Sequence, residues 1–219
     1  MWDSQTFAML LMGLLETLYM TLLSTIFAYV LGLPMGVLLV TSEQNGILPM
    51  PRLNKVLNII VNIVRSVPFL ILLIAVTPFT RLVTGTTIGS TATVVPLVIG
   101  AAPFIARLVE SSIKEIDKGV IEAAVSMGCS PSQIIMKVMI PEAVPSLMMG
   151  AAIATTTILG YSAMAGICGG GGLGDLAIRY GYYRYQNDIM IATVVLLVVV
   201  VQIIQEVGMK IAKKQDKRK

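Results

Sequence analysis

The sequence predicts an all-α protein that crosses a membrane about five times. Three observations lead there. Apolar residues make up 56% of the 219 and charged residues 13%, against roughly 25% charged in a soluble domain. Apolar runs recur at lengths near the roughly 20 residues that a spanning helix needs. Lys and Arg fall mostly into alternate loops, the asymmetry that sets the orientation of membrane helices.

The first span covers about Leu18–Val40. Phe7–Leu15 extends it or lies in the interface, with Glu16 at that boundary. Met1–Leu18 holds no Lys or Arg, so it lacks the basic start of a secretory signal and is expected to be retained. Gly32-Leu33-Pro34-Met35-Gly36 should bend this helix. A loop over Thr41–Lys55 carries Pro49, Pro51, Arg52 and Lys55.

The second span covers about Val56–Val83, with Pro68 expected to kink it. Asn58, Asn62 and Arg65 recur at i, i+4 and i+7 and face either other helices or an inner vestibule. An uncharged, Gly- and Thr-rich loop, Thr84–Thr93, leads to a third span over Val94–Ile113. Arg107, Glu110 and Lys114 at its end are expected to snorkel or pair. The fourth span covers Ala143–Ile167, and a Gly- and Tyr-rich connection, Cys168–Asp188, leads to the fifth, Ile189–Ala212. The Tyr residues of Tyr180–Tyr185 belong at the interface. No internal repeat is visible, and 1–219 is read as one membrane domain.

With five spans, Arg52, Lys55, Lys114, Lys118, Lys137 and the basic C-terminal residues share one side, which is therefore cytoplasmic. The N-terminus is then outside. Lys210, Lys213, Lys214, Lys217, Arg218 and Lys219 suit an anionic leaflet better than nucleic acid in so apolar a chain. The absence of His removes the commonest acid–base group and metal ligand, and no metal site is expected. Cys129 and Cys168 fall toward opposite sides and should not pair.

The segment between the third and fourth spans is the most sharply punctuated. Val120–Met127 reads as a short helix, ended by Gly128 in a left-handed C′ position. Ser130 then takes an N-cap, with Pro131 at N1 and Gln133 at N3, forming a capping box. A second helix starts there and runs toward Pro141. Ala123 and Ala124 after Glu122 keep one face thin, and Val120, Ile121, Val125 and Met127 supply an apolar surface that either fills a partner's groove or rests, as an amphipathic loop, on the bilayer.

Two further motifs stand out. Tyr161-Ser162-Ala163-Met164-Ala165-Gly166 follows Thr155-Thr156-Thr157, small residues that let membrane helices pack closely. Gly169-Gly170-Gly171-Gly172-Leu173-Gly174 contains G-x-G-x-x-G, but no βαβ unit surrounds it. It reads instead as a flexible, close-packed break after the fourth span.

The order Glu122-Ala123-Ala124, Gly128, Ile140-Pro141 resembles the EAA loop of ATP-binding-cassette importer permeases. Together with ILGYSAMAGICGGGGLG and RYGYYRY, the chain is similar to methionine-importer permeases over nearly its whole length. The resemblance implies a type I importer permease fold in the bacterial inner membrane. The loop at about 117–141 becomes a coupling helix, with Glu122, Ala123, Ala124, Gly128, Ser130, Pro131 and Pro141 engaging the ATPase. Tyr161, Ser162, Met164 and Pro68 become candidates for the translocation path. The implied partners are a second permease copy, two ATPase subunits, an extracytoplasmic methionine-binding lipoprotein and membrane lipid. ATP and magnesium would bind the ATPase, leaving this chain without a cofactor or catalytic residue.

Other readings weigh less. A permease for another small amino acid fits the same motifs. An ATPase-independent channel or carrier should place ionisable residues at mid-depth, and the fourth span has none. A membrane enzyme would need a catalytic set that the sequence does not supply.

Overall fold

The computed structural model describes residues 3–215, and every element there is helical. The elements are α1 (Ser4–Thr41), α2 (Pro51–Ser66), α3 (Phe69–Ala75), α4 (Thr77–Thr84), α5 (Ser90–Lys114), α6 (Lys118–Ser126), α7 (Pro131–Ile134), α8 (Ile140–Ala165), α9 (Gly172–Leu176) and α10 (Asn187–Gln215). A π-helical stretch, Ile135–Met139, joins α7 to α8, and a second, Ala177–Tyr182, follows α9. Lys217, Arg218 and Lys219 lie outside the described residues.

Among these residues, Ser4–Thr41, Ser90–Lys114, Pro131–Cys168 and Asn187–Gln215 are long and apolar enough to cross a membrane. The bent pair Pro51–Ser66 and Phe69–Ala75 makes a fifth span when counted as one. Four spans are longer than their sequence estimates. Phe7–Leu15 continues α1, and Glu16 lies within that helix rather than at its edge.

The second span is the main correction. Val56–Val83 is not one helix but parts of α2, α3 and α4. Pro68 has no N–H to give the ladder and itself stands extended at ψ 136, so α2 stops and α3 begins anew. Pro78 sits in the first turn of α4, where its missing N–H goes unneeded.

The chain groups into two compact units. One is built from the described residues of Met1–Phe27, Val67–Ala101 and Thr155–Gln205. Leu10, Leu176, Ile189 and Ala192 form a buried cluster there, flanked by Met9, Tyr180 and Leu196. The Cys168–Asp188 connection belongs to this unit and is more structured than expected, because α9 and a π turn occupy most of it.

The other unit is built from the described residues of Ala28–Ser66, Ala102–Ala154 and Glu206–Lys219. Leu39, Val61 and Ala106 form its core cluster, with Met35 and Leu57 packed against them. Helix α1 continues through Pro34 as one element. Gly32 and Gly36 let α5 approach: a Cβ on Gly32 would stand 2.7 Å from Ile105 Cγ2, and one on Gly36 2.6 Å from the Ala106 carbonyl oxygen.

Candidate functional site

Helices α6 and α7 form the punctuated elbow. The Asp117 carboxylate accepts from the Gly119 N–H at 2.6 Å, so α6 starts at Lys118, two residues earlier than the sequence estimate. At its other end Gly128 has φ +77. The Gly128 N–H donates to Val125 O at 2.9 Å and the Cys129 N–H to Ala124 O at 3.2 Å. This pair of bonds is a Schellman motif. A Cβ on Gly128 would meet nothing within 4 Å, so the position needs glycine for its backbone angle alone.

Ser130 and Gln133 form the expected capping box. Ser130 Oγ accepts from the Gln133 N–H at 3.4 Å, and Gln133 Oε1 accepts from the Ser130 N–H at 2.8 Å. Pro131 takes the first helical turn. Pro141 does not end the helix, as the run continues to Cys168. The Ile140 N–H reaches back five residues to Ile135 O. The wider π turn precedes a proline that can donate nothing to the ladder.

The elbow's surface divides cleanly. Ala124 is buried, whereas Glu122, Ala123, Val120, Val125 and Met127 are exposed, Met127 to 75%. Ile121 is half-buried. Beside α6, Glu43, Lys114, Lys118, Ile121, Glu122 and Met139 help line a groove of 440 Å³. The elbow thus carries exposed apolar side chains on a capped, solvent-facing segment.

A polar chain that the sequence only half disclosed runs through the same unit. Arg107 Nη2 donates to Asn58 Oδ1 and Asn62 Oδ1, each at 2.8 Å, while Nη1 pairs with Glu110 at 2.5 Å. Lys114 bridges Glu110 at 2.8 Å and Glu43 at 2.7 Å. Asn54 extends the chain to Leu39 O at 2.7 Å. Asn58 and Asn62 thus meet another helix, as their spacing allowed. Glu43 carries no periodic signal and is visible only in three dimensions. Burying a guanidinium this way is tolerable because carboxylate and amide oxygens surround it.

In the other unit, Tyr161 lies flat against Phe69, with ring centroids 4.5 Å apart and planes 3° from parallel. Pro68 immediately precedes that stack. Met164 is 46% exposed. Ser162 is buried, and its hydroxyl donates to Leu159 O at 2.8 Å.

The glycine turn beyond α8 is tightly packed rather than loose. Gly169, Gly171 and Gly172 have φ near the left-handed region, at +76, +80 and +76. A Cβ on Gly174 would overlap the backbone of Ala163, and one on Gly166 the backbone of Asp175. Helix α1 holds the turn: Glu16 Oε2 accepts from the Gly172 N–H at 2.7 Å, and Thr17 Oγ1 from the Leu173 N–H at 2.8 Å. Glu16 therefore has a structural partner that sequence reasoning missed, since it lies 156 residues away in the chain. Asp175 pairs with Arg179, and Arg184 lies over the Tyr180 ring at 4.6 Å. Among the described residues no group of three or more His, Cys, Asp or Glu side chains could hold a metal ion, and both cysteines are free thiols.

Comparison with known proteins gives concordant matches. The family model described as binding-protein-dependent transport system inner membrane component matches residues 28–210. The probable D-methionine transport system permease protein MetI of Vibrio cholerae is 49% identical over 217 residues, covering 99% of this chain and 96% of that protein. The D-methionine transport system permease protein MetI of Escherichia coli K12 is 50% identical over 158 residues, covering 72% of this chain and 73% of that protein. A solved inward-facing structure of the MetNI methionine ABC transporter has a chain that superimposes with a TM-score of 0.97 at 45% identity, covering 99% of this chain and all of that one.

Proposed function

The chain belongs to the binding-protein-dependent transport system inner-membrane component family, and on that footing we propose how its elbow and its fourth span carry out transport. It is a multi-pass inner-membrane permease, the transport subunit of an ATP-driven methionine importer. ATP hydrolysis belongs to a separate ATPase chain.

The finer reading adds partners and direction. Two copies of the permease pair around a shared axis, each seated on one ATPase subunit. A methionine-binding lipoprotein delivers substrate from outside. The N-terminus faces outward and the elbow faces the cytoplasm, supported by the placement of Lys and Arg. ATP and magnesium bind the ATPase, and this chain needs no cofactor of its own. Residues 1–219 act as one transmembrane permease domain.

The observation that carries this reading is the elbow. Its backbone is fixed at both ends of the corner by Gly128 and by the Ser130–Gln133 box, with Pro131 in the first turn. Its outer face offers Val120, Val125 and Met127 beside Glu122 and Ala123, while Ala124 packs inward. That is a rigid knob for a groove on the ATPase. Nucleotide-driven closure of the ATPases draws two such knobs together. Each knob is continuous with the helix run Pro131–Cys168, past Pro141 to Tyr161 and Met164. The exposed Met164 thioether and the Tyr161 edge border the path, Ser162 packs behind them, and the Pro68 break supports the Tyr161–Phe69 stack. ATP drives the cycle by binding one arrangement more tightly than the other.

The test is uptake by the reconstituted complex. ATP-dependent accumulation of labelled methionine is expected, with the L and D forms and other amino acids as competitors. Preferential accumulation of an unrelated amino acid would overturn the substrate assignment. Uptake without ATP would overturn the importer reading.

A further inference from the structure

An apolar trough lies between the N-terminal turns of α1 and α10, and neither Tyr161 nor Met164 lines it. Phe7, Leu10, Leu14, Ile191, Val195 and Leu196 line its 560 Å³, and Asp188 stands at its end. Leu10 and Ala192 on its floor belong to a buried cluster, while Phe7 and Ile191 on its walls are 66% and 64% exposed. From Asp188 to Leu196 the trough runs about 12 Å along α10, at 1.5 Å per residue. That nearly matches the roughly 15 Å depth of one leaflet's hydrocarbon.

We propose that this trough seats an acyl chain of a membrane phospholipid whose head group carries a primary amine, with the ammonium bound by Asp188. The apolar walls suit a lipid tail, and the carboxylate lies in the first turn of α10, where a head group would sit. A carboxylate in a helix's first turn is common for the dipole alone. Here it also closes one end of a trough of leaflet depth. Among the described residues no Lys or Arg forms an ion pair with Asp188. The nearest basic residues in sequence are otherwise engaged, Arg179 by Asp175 and Arg184 over the Tyr180 ring. The exposed rings of Tyr182, Tyr183 and Tyr185, just before α10, mark the interfacial level.

Charge complementarity selects the head group. An ammonium can donate hydrogen bonds to the carboxylate, whereas a trimethylated choline cannot. An anionic glycerol phospholipid would bring its phosphate to Asp188 with no cation to offset it.

The assignment is tested on the full transporter complex, purified in mild detergent from membranes of known lipid content. Native mass spectrometry and lipid extraction measure what stays bound. Wild-type complex should retain phosphatidylethanolamine several-fold above phosphatidylglycerol and phosphatidylcholine, relative to the membrane. Asp188→Asn should abolish that preference at unchanged complex yield. Leu14→Trp, which fills the trough, should reduce retention of every phospholipid there. Equal retention of the three lipids by wild-type protein would overturn the proposal without any variant. So would an unchanged preference in Asp188→Asn, or a cross-link joining two copies through Leu11→Cys, Leu11 being a further residue of the trough's lining.

Discussion

Gly128 at the elbow and Gly174 beyond α8 are glycines for different reasons. At Gly128 the backbone is left-handed and the space around it is open. At Gly174 the backbone needs no positive φ, but Ala163 leaves no room for a Cβ. The elbow holds its shape from within, through its own caps, and presents its surface outward. The glycine turn holds its shape through neighbours, with Glu16 and Thr17 of α1 accepting its N–H bonds. At the elbow's corner the space around Gly128 stays open. The glycine turn is locked by tertiary contacts.

This contrast can be broken in graded steps. Gly174→Val should have the largest effect: overpacking against backbone costs about 3 kcal/mol or more. The detergent-solubilised complex should melt well below wild type or fail to assemble, and a normal melting curve would show that the turn is not locked. Glu16→Ala comes next, because it orphans a part-buried N–H at a cost of about 1–3 kcal/mol. Glu16→Gln keeps an acceptor oxygen and should recover most of that loss in the same melt.

Gly128→Val should cost about 1–2 kcal/mol locally, from the left-handed backbone alone. Its uptake at equal expression should fall several-fold with the permease still folded. Wild-type uptake in that variant, or unfolding as severe as that of Gly174→Val, would erase the distinction. Ser130→Ala removes one cap and should cost about 1 kcal/mol, seen as a modest loss of uptake. Met164→Ala is the mildest. It should change transport rate or basal leak with the melting temperature unmoved, and no change in either transport or ATPase activity would reduce Met164 to packing.

Local signals were the most legible. The Gly128 corner, the Ser130–Gln133 box and the Pro131 start are written in consecutive residues, and the structure forms each of them. Span number was legible from hydropathy because each run must satisfy one length. What failed was judging prolines by their presence alone. Pro68 ends a helix and Pro141 does not, although both follow apolar runs. A π turn precedes Pro141, whereas α1 passes Pro34 with none, so what a proline does to a helix is not written in the proline alone. Tertiary partners were the least legible. Asn58 and Asn62 showed a face but not Arg107, and Glu16 looked like a boundary marker because its partner is Gly172.

The π stretch over Ile135–Met139 has a mechanical consequence. It amounts to one residue inserted into an otherwise regular rod, so everything N-terminal to it is indexed about 100° around the axis and 1.5 Å along it from where an unbroken α-helix would put it. Within this unit, the setting of α7 relative to the first turns of α8 is thereby written as a residue count. Removing a single amino acid from this stretch would let the ladder close as an ordinary α-helix, so the wide turn is where this helix run can take up or give back one residue of length while both ends stay well formed.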